Sequence, residues 1–336
     1  MASETTTTHA TGQTTERNLS LIKPTGPLTL GNYLGALRQM ASAQDGADCI
    51  YGLADLHALT VTHDPTRLRK LVREISTILV AVGLDRSTLF LQSRVPAHSE
   101  LAYLLECTAY TGELSRMIQF KEKGRGHPST RVSLYTYPAL MAADILLYQT
   151  KQVPVGDDQR QHIELTRDLA IRFNQTYGQV FAVPEIVTPP AGARVMNLAD
   201  PTTKMGKSHH DGSGIIYLLD APDVVRRKIA RAVTDSDTGA TVVRRDRTNK
   251  PGVTNLLDIL TACAGPRAAD GISTYGALKA AVTDAVINVV EPIQKAYTDL
   301  ADDPSIVDRL YADGAHRCRT ITAPVLANAQ AAMGLS

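Results

Sequence analysis

Leu19-Ser20-Leu21-Ile22-Lys23-Pro24-Thr25-Gly26-Pro27-Leu28-Thr29-Leu30-Gly31-Asn32-Tyr33-Leu34-Gly35-Ala36-Leu37-Arg38-Gln39-Met40 reads as a strand, a turn and the opening of a helix. Leu19–Ile22 is an apolar run of strand length. Pro24–Asn32 is rich in turn formers. Tyr33–Met40 then opens a helical pattern.

The same alternation continues downstream. Ala47–Leu53 is a second apolar run. Asp64-Pro65 marks a helix start, with Asp as N-cap and Pro at the first helical position. Leu68, Leu71, Val72, Ile75, Leu79 and Val82 follow at helical spacing, and Gly83 stands where a C-terminal cap belongs. Thr88–Gln92 is another strand, Pro138–Tyr148 an apolar helix, Gln152–Val155 a short strand and Gln161–Asn174 a further helix. Strand–helix alternation over this length predicts an α/β fold with a doubly wound parallel sheet. Beyond Asp200 the pattern turns helical at Pro222–Val233, Asn255–Ala262, Tyr275–Leu300 and Ile306–Met333. The expected division is a tail over 1–18, a sheet-bearing domain over 19–209, a helical domain over 210–303, and a helix over 304–336 returning to the first domain.

Composition bounds the function. The chain has 336 residues, 43% hydrophobic and 21% charged, which is ordinary globular composition. Lys+Arg 35 against Asp+Glu 34 argues against bulk electrostatic binding of nucleic acid and leaves room for local basic patches. No stretch is apolar for long enough to span a membrane. Cys49, Cys107, Cys263 and Cys318 are too dispersed for a zinc site or a disulfide scaffold, so four reduced thiols in a cytoplasmic protein are expected. Seven of the first eighteen residues are Thr, a composition expected to stay disordered.

Several segments could carry chemistry. Thr29 and Asn32 place two polar side chains three apart where a helix N-terminus could meet phosphate, although ordinary capped turns look the same. Lys204-Met205-Gly206-Lys207-Ser208 offers two lysines three apart in a loop, either a polyphosphate clamp or a solvated basic loop. Tyr137, Met141 and Asp144 share one helix face. A carboxylate in so apolar a helix needs a partner, internal or ligand. Gly156-Asp157-Asp158-Gln159 follows a strand, where ligands bind in open α/β sheets but where helix caps also occur. His57, Gln119 and Lys123 say little singly.

Taken together and in order, these segments resemble the tryptophanyl-tRNA synthetases, class I aminoacyl-tRNA synthetases with a Rossmann-like sheet domain and an α-helical anticodon-binding domain. Thr29-Leu30-Gly31-Asn32 is similar to that family's form of the HIGH signature, and Lys204–Ser208 to KMSKS. Thr136–Tyr148, Pro154–Phe173 and Ala232–Ser236 are also similar.

The resemblance implies ATP with Mg²⁺, L-tryptophan and tRNA(Trp) as ligands, a tryptophanyl-adenylate intermediate and a homodimer. It implies an ATP site at Lys23, Pro24, Thr25, Gly31, Asn32, Gly156, Asp157, Asp158, Val195, Lys204, Met205, Gly206, Lys207 and Ser208. Thr29, Asn32, Lys123, Lys204 and Lys207 would serve catalysis. Asp144 would accept the indole N–H, with Met141 and Val155 against the ring. Tyr137, Gln159, His57 and Gln119 would hold the polar end of the amino acid. Two basic clusters, Arg226, Arg227, Lys228 and Arg231, and Arg244, Arg245, Arg247 and Lys250, would face tRNA or be plain solvated surface.

Two residues depart from the family pattern. Gly206 replaces the middle Ser of KMSKS, and Lys23 stands where many members carry Gln. The second departure raises the expectation of an auxiliary enzyme that tolerates an analogue inhibitor. A tyrosyl enzyme and a non-catalytic sensor are the rival readings. The Met141/Asp144 face argues against the first, and the paired lysines against the second.

Overall fold

The computed structural model describes residues 17–124, 126–154, 156, 159–187, 192–206, 212–239 and 241–335. Strands β1 (Arg17–Ile22), β2 (Asp48–Leu53) and β3 (Thr88–Leu91) form a parallel sheet in that order. Arg17 lies opposite Asp48 and Leu53 opposite Leu91. β4 (Gln152–Pro154) and β5 (Glu185–Val187) form a second parallel pair. β1 starts inside the stretch expected to be tail. Arg17 is drawn into the strand because its guanidinium pairs with Asp48 at 3.0 Å and donates to the Tyr148 carbonyl at 2.8 Å.

The sheet is covered on both faces, and β2 shows why. Cys49, Tyr51 and Leu53 belong to one apolar cluster, while Ile50 belongs to another. Successive side chains of a strand point to opposite faces, so a strand buried on both sides reads as continuously apolar. Leu89 and Phe90 of β3 divide in the same way.

Helix α1 begins as Leu30–Asn32, passes through a π-helical turn at Tyr33–Leu37 and ends as Arg38–Ser42. Helix α2 (Pro65–Leu79) starts as its sequence signals require, with the Asp64 side chain accepting from the Arg67 N–H at 2.6 Å and Pro65 in the first turn. Gly83 ends the following turn at φ 86°.

Helices α3 (Ala97–Glu106), α4 (Val132–Leu146) and α5 (Arg160–Tyr177) complete the sheet domain. α4 starts six residues before Pro138, the point at which the proline had placed its beginning. A proline early in a helix removes a backbone bond there. Here seven residues of α4, from Pro138 to Leu146, are nevertheless buried.

The second half is helical: α6 (Pro222–Ala230), α7 (Pro251–Ala264), α8 (Tyr275–Asp302) and α9 (Pro304–Ala332). α9 packs on β3 and α3. Its Gly314 lies so close to the strand that a Cβ would fall 1.9 Å from the Leu89 carbonyl oxygen. Arg317 of α9 donates to Asp48 at 2.7 Å, so one carboxylate ties α9 and β1 to β2. All four cysteines are free, and no described helix is long and apolar enough to cross a membrane.

Candidate active site

Lys23 follows β1, His57 follows β2, Gln92 follows β3 and Gly156 follows β4. The carboxyl ends of parallel strands are where open α/β sheets bind ligands. The three-stranded sheet thus gathers Lys23, His57 and Gln92 at one end, although they are far apart in sequence.

The turn after β1 is built as a capping box. Thr29 is fully buried, and its Oγ1 accepts from the Asn32 N–H at 3.2 Å. Asn32 Oδ1 accepts in return from the Thr29 N–H at 3.0 Å and the Thr29 hydroxyl at 3.1 Å. Thr29 is therefore the architect of the turn rather than a group facing solvent. The Leu30 N–H is taken by the Ile216 carbonyl at 2.8 Å.

The lysine-bearing segment lies directly over this turn. Met196 and Lys204 form an antiparallel bridge, and the Met205 N–H donates to the Val195 carbonyl at 3.0 Å. Val195 and Met205 are both buried, so Val195 contributes a backbone rung and a core side chain. Asn255 of α7 clamps this hairpin from behind: its Oδ1 accepts from the Met196 N–H at 2.8 Å, and its Nδ2 donates to the Met196 carbonyl at 2.9 Å. A Cβ on Gly31 would sit 3.1 Å from the Met205 carbonyl oxygen. Lys204 is exposed, and Gly206 is half-buried. Pro24 is buried beside exposed Thr25. Val155, Asp157, Asp158, Lys207 and Ser208 lie outside the described residues.

Asp144 is the electrostatic centre. It is 4% exposed, and its carboxylate accepts three hydrogen bonds. His57 Nε2 donates to Oδ2 at 2.8 Å. Gln92 Nε2 and His98 Nδ1 donate to Oδ1, both at 2.6 Å. Burial pushes the carboxyl pKa up, but the bonds from His57 and His98 outweigh it and hold the group at about 2. His57 was expected at the polar end of an amino acid. Its Nε2 is instead committed to Asp144, because a buried carboxylate left unpaired is far more costly.

Around this centre, Tyr137 meets the His57 ring edge-on at 6.1 Å and shares a hydrogen bond with His162 Nε2 at 2.5 Å. Burial raises the Tyr137 pKa to about 12, so it stays protonated. Met141 packs on Ile145, Val153 and Ile163. Gln159 caps α5, and its N–H reaches the Gly156 carbonyl at 3.0 Å.

Lys23 donates to Thr60 Oγ1 at 3.0 Å, and Thr60 donates to the His57 carbonyl at 2.9 Å. Burial, and then the nearby Lys123, depress the Lys23 pKa. Lys123 donates to Gln119 Oε1 at 2.6 Å, one turn away on the short helix Ile118–Lys123. Sequence reading missed Gln92, His98, Thr60, His162 and Asn255. The placement of Gln92 and His98 just after a strand was the available signal.

The two basic clusters need correction. Lys228 donates to Asp220 and to the Ile215 carbonyl, each at 2.7 Å. Lys250 is 2% exposed and bonds Asp235 at 2.7 Å, Asp237 at 2.6 Å and the Tyr275 hydroxyl at 3.0 Å. Arg245 and Arg247 pair with Asp258, Arg244 with Asp237 and Arg227 with Asp223. Much of this charge is thus neutralised within the helical half. Arg226 and Arg231 are exposed.

Residues 15–295 match the family model described as tRNA synthetases class I (W and Y). The chain is 53% identical over 331 residues to the tryptophan–tRNA ligase 1 of Streptomyces avermitilis, covering 95% of this chain and 99% of that one. The tryptophanyl-tRNA synthetase structure from Mycoplasma pneumoniae superposes with a TM-score of 0.84 at 36% identity, covering 96% of this chain and 98% of the other. The Campylobacter jejuni enzyme, solved with ADP and tryptophan, gives 0.82 at 29%, covering 95% and 100%. The chain belongs to the class I tRNA synthetases of the tryptophan and tyrosine family.

Proposed function

We propose that this protein activates L-tryptophan with ATP and attaches it to tRNA(Trp). The tryptophan carboxylate attacks the α-phosphate, forming tryptophanyl-adenylate as pyrophosphate leaves. The terminal ribose 2′-hydroxyl of the tRNA then takes the aminoacyl group and AMP departs. Mg²⁺ arrives with ATP as part of the substrate.

One observation carries the amino-acid choice. An ionised carboxylate offers about four acceptor positions, and three on Asp144 are filled from within the protein. The remaining position lies on Oδ2, and Met141 and Tyr137 stand one and two turns before Asp144 on the same face of α4. It suits one N–H donor on an aromatic ring, which is what an indole presents. A phenyl ring has no donor to offer it, and a ligand that fails to fill such a position loses about 1–3 kcal/mol.

Lys204 and Lys207, with Lys123, would neutralise charge on the departing pyrophosphate, chemistry that is mostly positioning and electrostatics. Gly31, Asn32, Gly156, Asp158 and the Val195 backbone would hold the nucleotide. The helical half would carry tRNA contacts through Arg226 and Arg231, in a homodimer working in the cytoplasm. Lys23, tied through Thr60 to His57, is the feature that supports tolerance of an analogue inhibitor. Equal inhibition constants for the protein and Lys23→Gln would end that idea.

The test of the main reading is ATP–pyrophosphate exchange with one amino acid supplied at a time. Exchange with tryptophan and little with tyrosine or phenylalanine is the expected result. Tyrosine-dependent exchange would replace the substrate. Tryptophan binding without any exchange would turn the protein into a sensor.

A further inference from the structure

His98 is fully buried on the inner face of α3 among Leu101, Ala102, Leu104 and Leu105. It stacks on Phe90 at 5.7 Å, with the rings inclined by 22°, and it lies beside Tyr148. A polar ring so placed has to satisfy both nitrogens, and it does. Nδ1 is 2.6 Å from Asp144 Oδ1, and Nε2 is 3.0 Å from the Tyr148 hydroxyl.

Asp144 is ionised and can only accept, so Nδ1 carries the proton. Nε2 meets the Tyr148 hydroxyl, which burial keeps protonated. The His98 ring is thereby held from both sides. With Gln92, it anchors Oδ1 and leaves Oδ2 turned to His57 and to the remaining acceptor position.

We propose that His98, braced by Tyr148, is a positioning residue for tryptophan selection: it fixes the rotation of the Asp144 carboxylate so that one Oδ2 lone pair meets the indole N–H. The proposal rests on the reading that Asp144 receives that N–H. Neither His98 nor Tyr148 touches substrate in this scheme. Loss of either lets the carboxylate turn, and an N–H acceptor that is not held in place discriminates poorly.

The test is pyrophosphate exchange with tryptophan and with 3-(benzothiophen-3-yl)alanine, in which sulfur replaces the indole N–H. His98→Leu should lower the preference for tryptophan about tenfold, the scale expected when a site built for a donor loses its geometry. The loss should appear in the KM for tryptophan, while kcat and the KM for ATP stay within about threefold. His98→Asn, whose amide nitrogen takes the place of Nδ1, should recover most of the preference. Tyr148→Phe should lose about threefold, because one hydrogen bond is removed one step further out.

Asp144→Asn is the control. If it abolishes the preference while folded His98→Leu keeps it, positioning by His98 is overturned and the Asp144 reading stands. If Asp144→Asn leaves the preference unchanged, the Asp144 reading fails and takes this proposal with it. Should His98→Leu not fold, Tyr148→Phe decides, and an unchanged preference there overturns the proposal.

Discussion

Gly31 and Met205 touch: a side chain on Gly31 would begin 3.1 Å from the Met205 carbonyl oxygen. The turn after β1 and the lysine hairpin are thus packed backbone to backbone, with Lys204 carried on the rim. Gly31→Ala forces the hairpin to give by a few tenths of an ångström. Small displacements of positioned groups are expensive in rate, so pyrophosphate exchange should fall about tenfold. The Tm should fall as well, because Gly31 and Met205 are both buried. An unchanged rate would mean that this contact has no part in placing the lysines.

Asp144 gives a pH dependence with a definite sign. Its carboxyl sits at about 2 in the folded protein against an ordinary 3.8. A group lowered on folding stabilises above the unfolded value, and that stabilisation is lost as pH falls through the folded one. Its contribution is therefore complete above pH 4 and is lost between about pH 4 and pH 2, with a size of about 2 kcal/mol. Urea unfolding of the protein and of Asp144→Asn across this range measures it. The stability gap should narrow toward pH 2, and parallel curves would contradict the assignment.

Gly314→Ala tests the docking of α9. Alanine favours a helix over glycine by about 1 kcal/mol. Here its Cβ would meet the Leu89 carbonyl at 1.9 Å, and backbone does not step aside cheaply. Overpacking of about 1–3 kcal/mol or more should win, visible as a lowered Tm. A raised Tm would show that α9 can slide on β3.

The basic residues of the helical half should separate into two groups. Arg226→Ala and Arg231→Ala remove exposed charge and should weaken tRNA charging, each flattening its salt dependence by about one unit of slope if it contacts a phosphate. Tryptophan-dependent exchange without tRNA should be unaffected. Lys228→Ala removes a partner of Asp220 and of the Ile215 carbonyl, so it should lower stability before it alters tRNA binding. Equal effects of all three on the salt slope would contradict this division.

The strands and the Asp64–Gly83 helix were legible in the sequence because their signals are local: an apolar run, a cap, a proline at the first turn. The need of Asp144 for a partner was legible too, since a carboxylate among Leu140, Met141, Ile145 and Leu147 demands one. The identity of the partners was not. Gln92 and His98 lie 52 and 46 residues away, and only the juxtaposition of β3, α3 and α4 brings them to the carboxylate. The basic clusters misled for the same reason. Spacing along α6 marks Lys228 as one of a charged group, but Asp220 and the Ile215 carbonyl reach it from the preceding loop. The early start of α4 was hidden by Pro138, whose local cost is outweighed by burial.

The docking of α9 on β3 also sets an order of assembly on the ribosome. Arg317 meets Thr88, 229 positions earlier in the chain, and Gly314 seats on a strand made long before it. Until that late helix emerges, β3 presents Phe90 and the adjoining face of α3 without their cover. An unpaired, apolar strand edge is a template for association between nascent chains. The β3 edge of the sheet is therefore encoded early but covered last, and a truncated translation product would carry an adhesive edge.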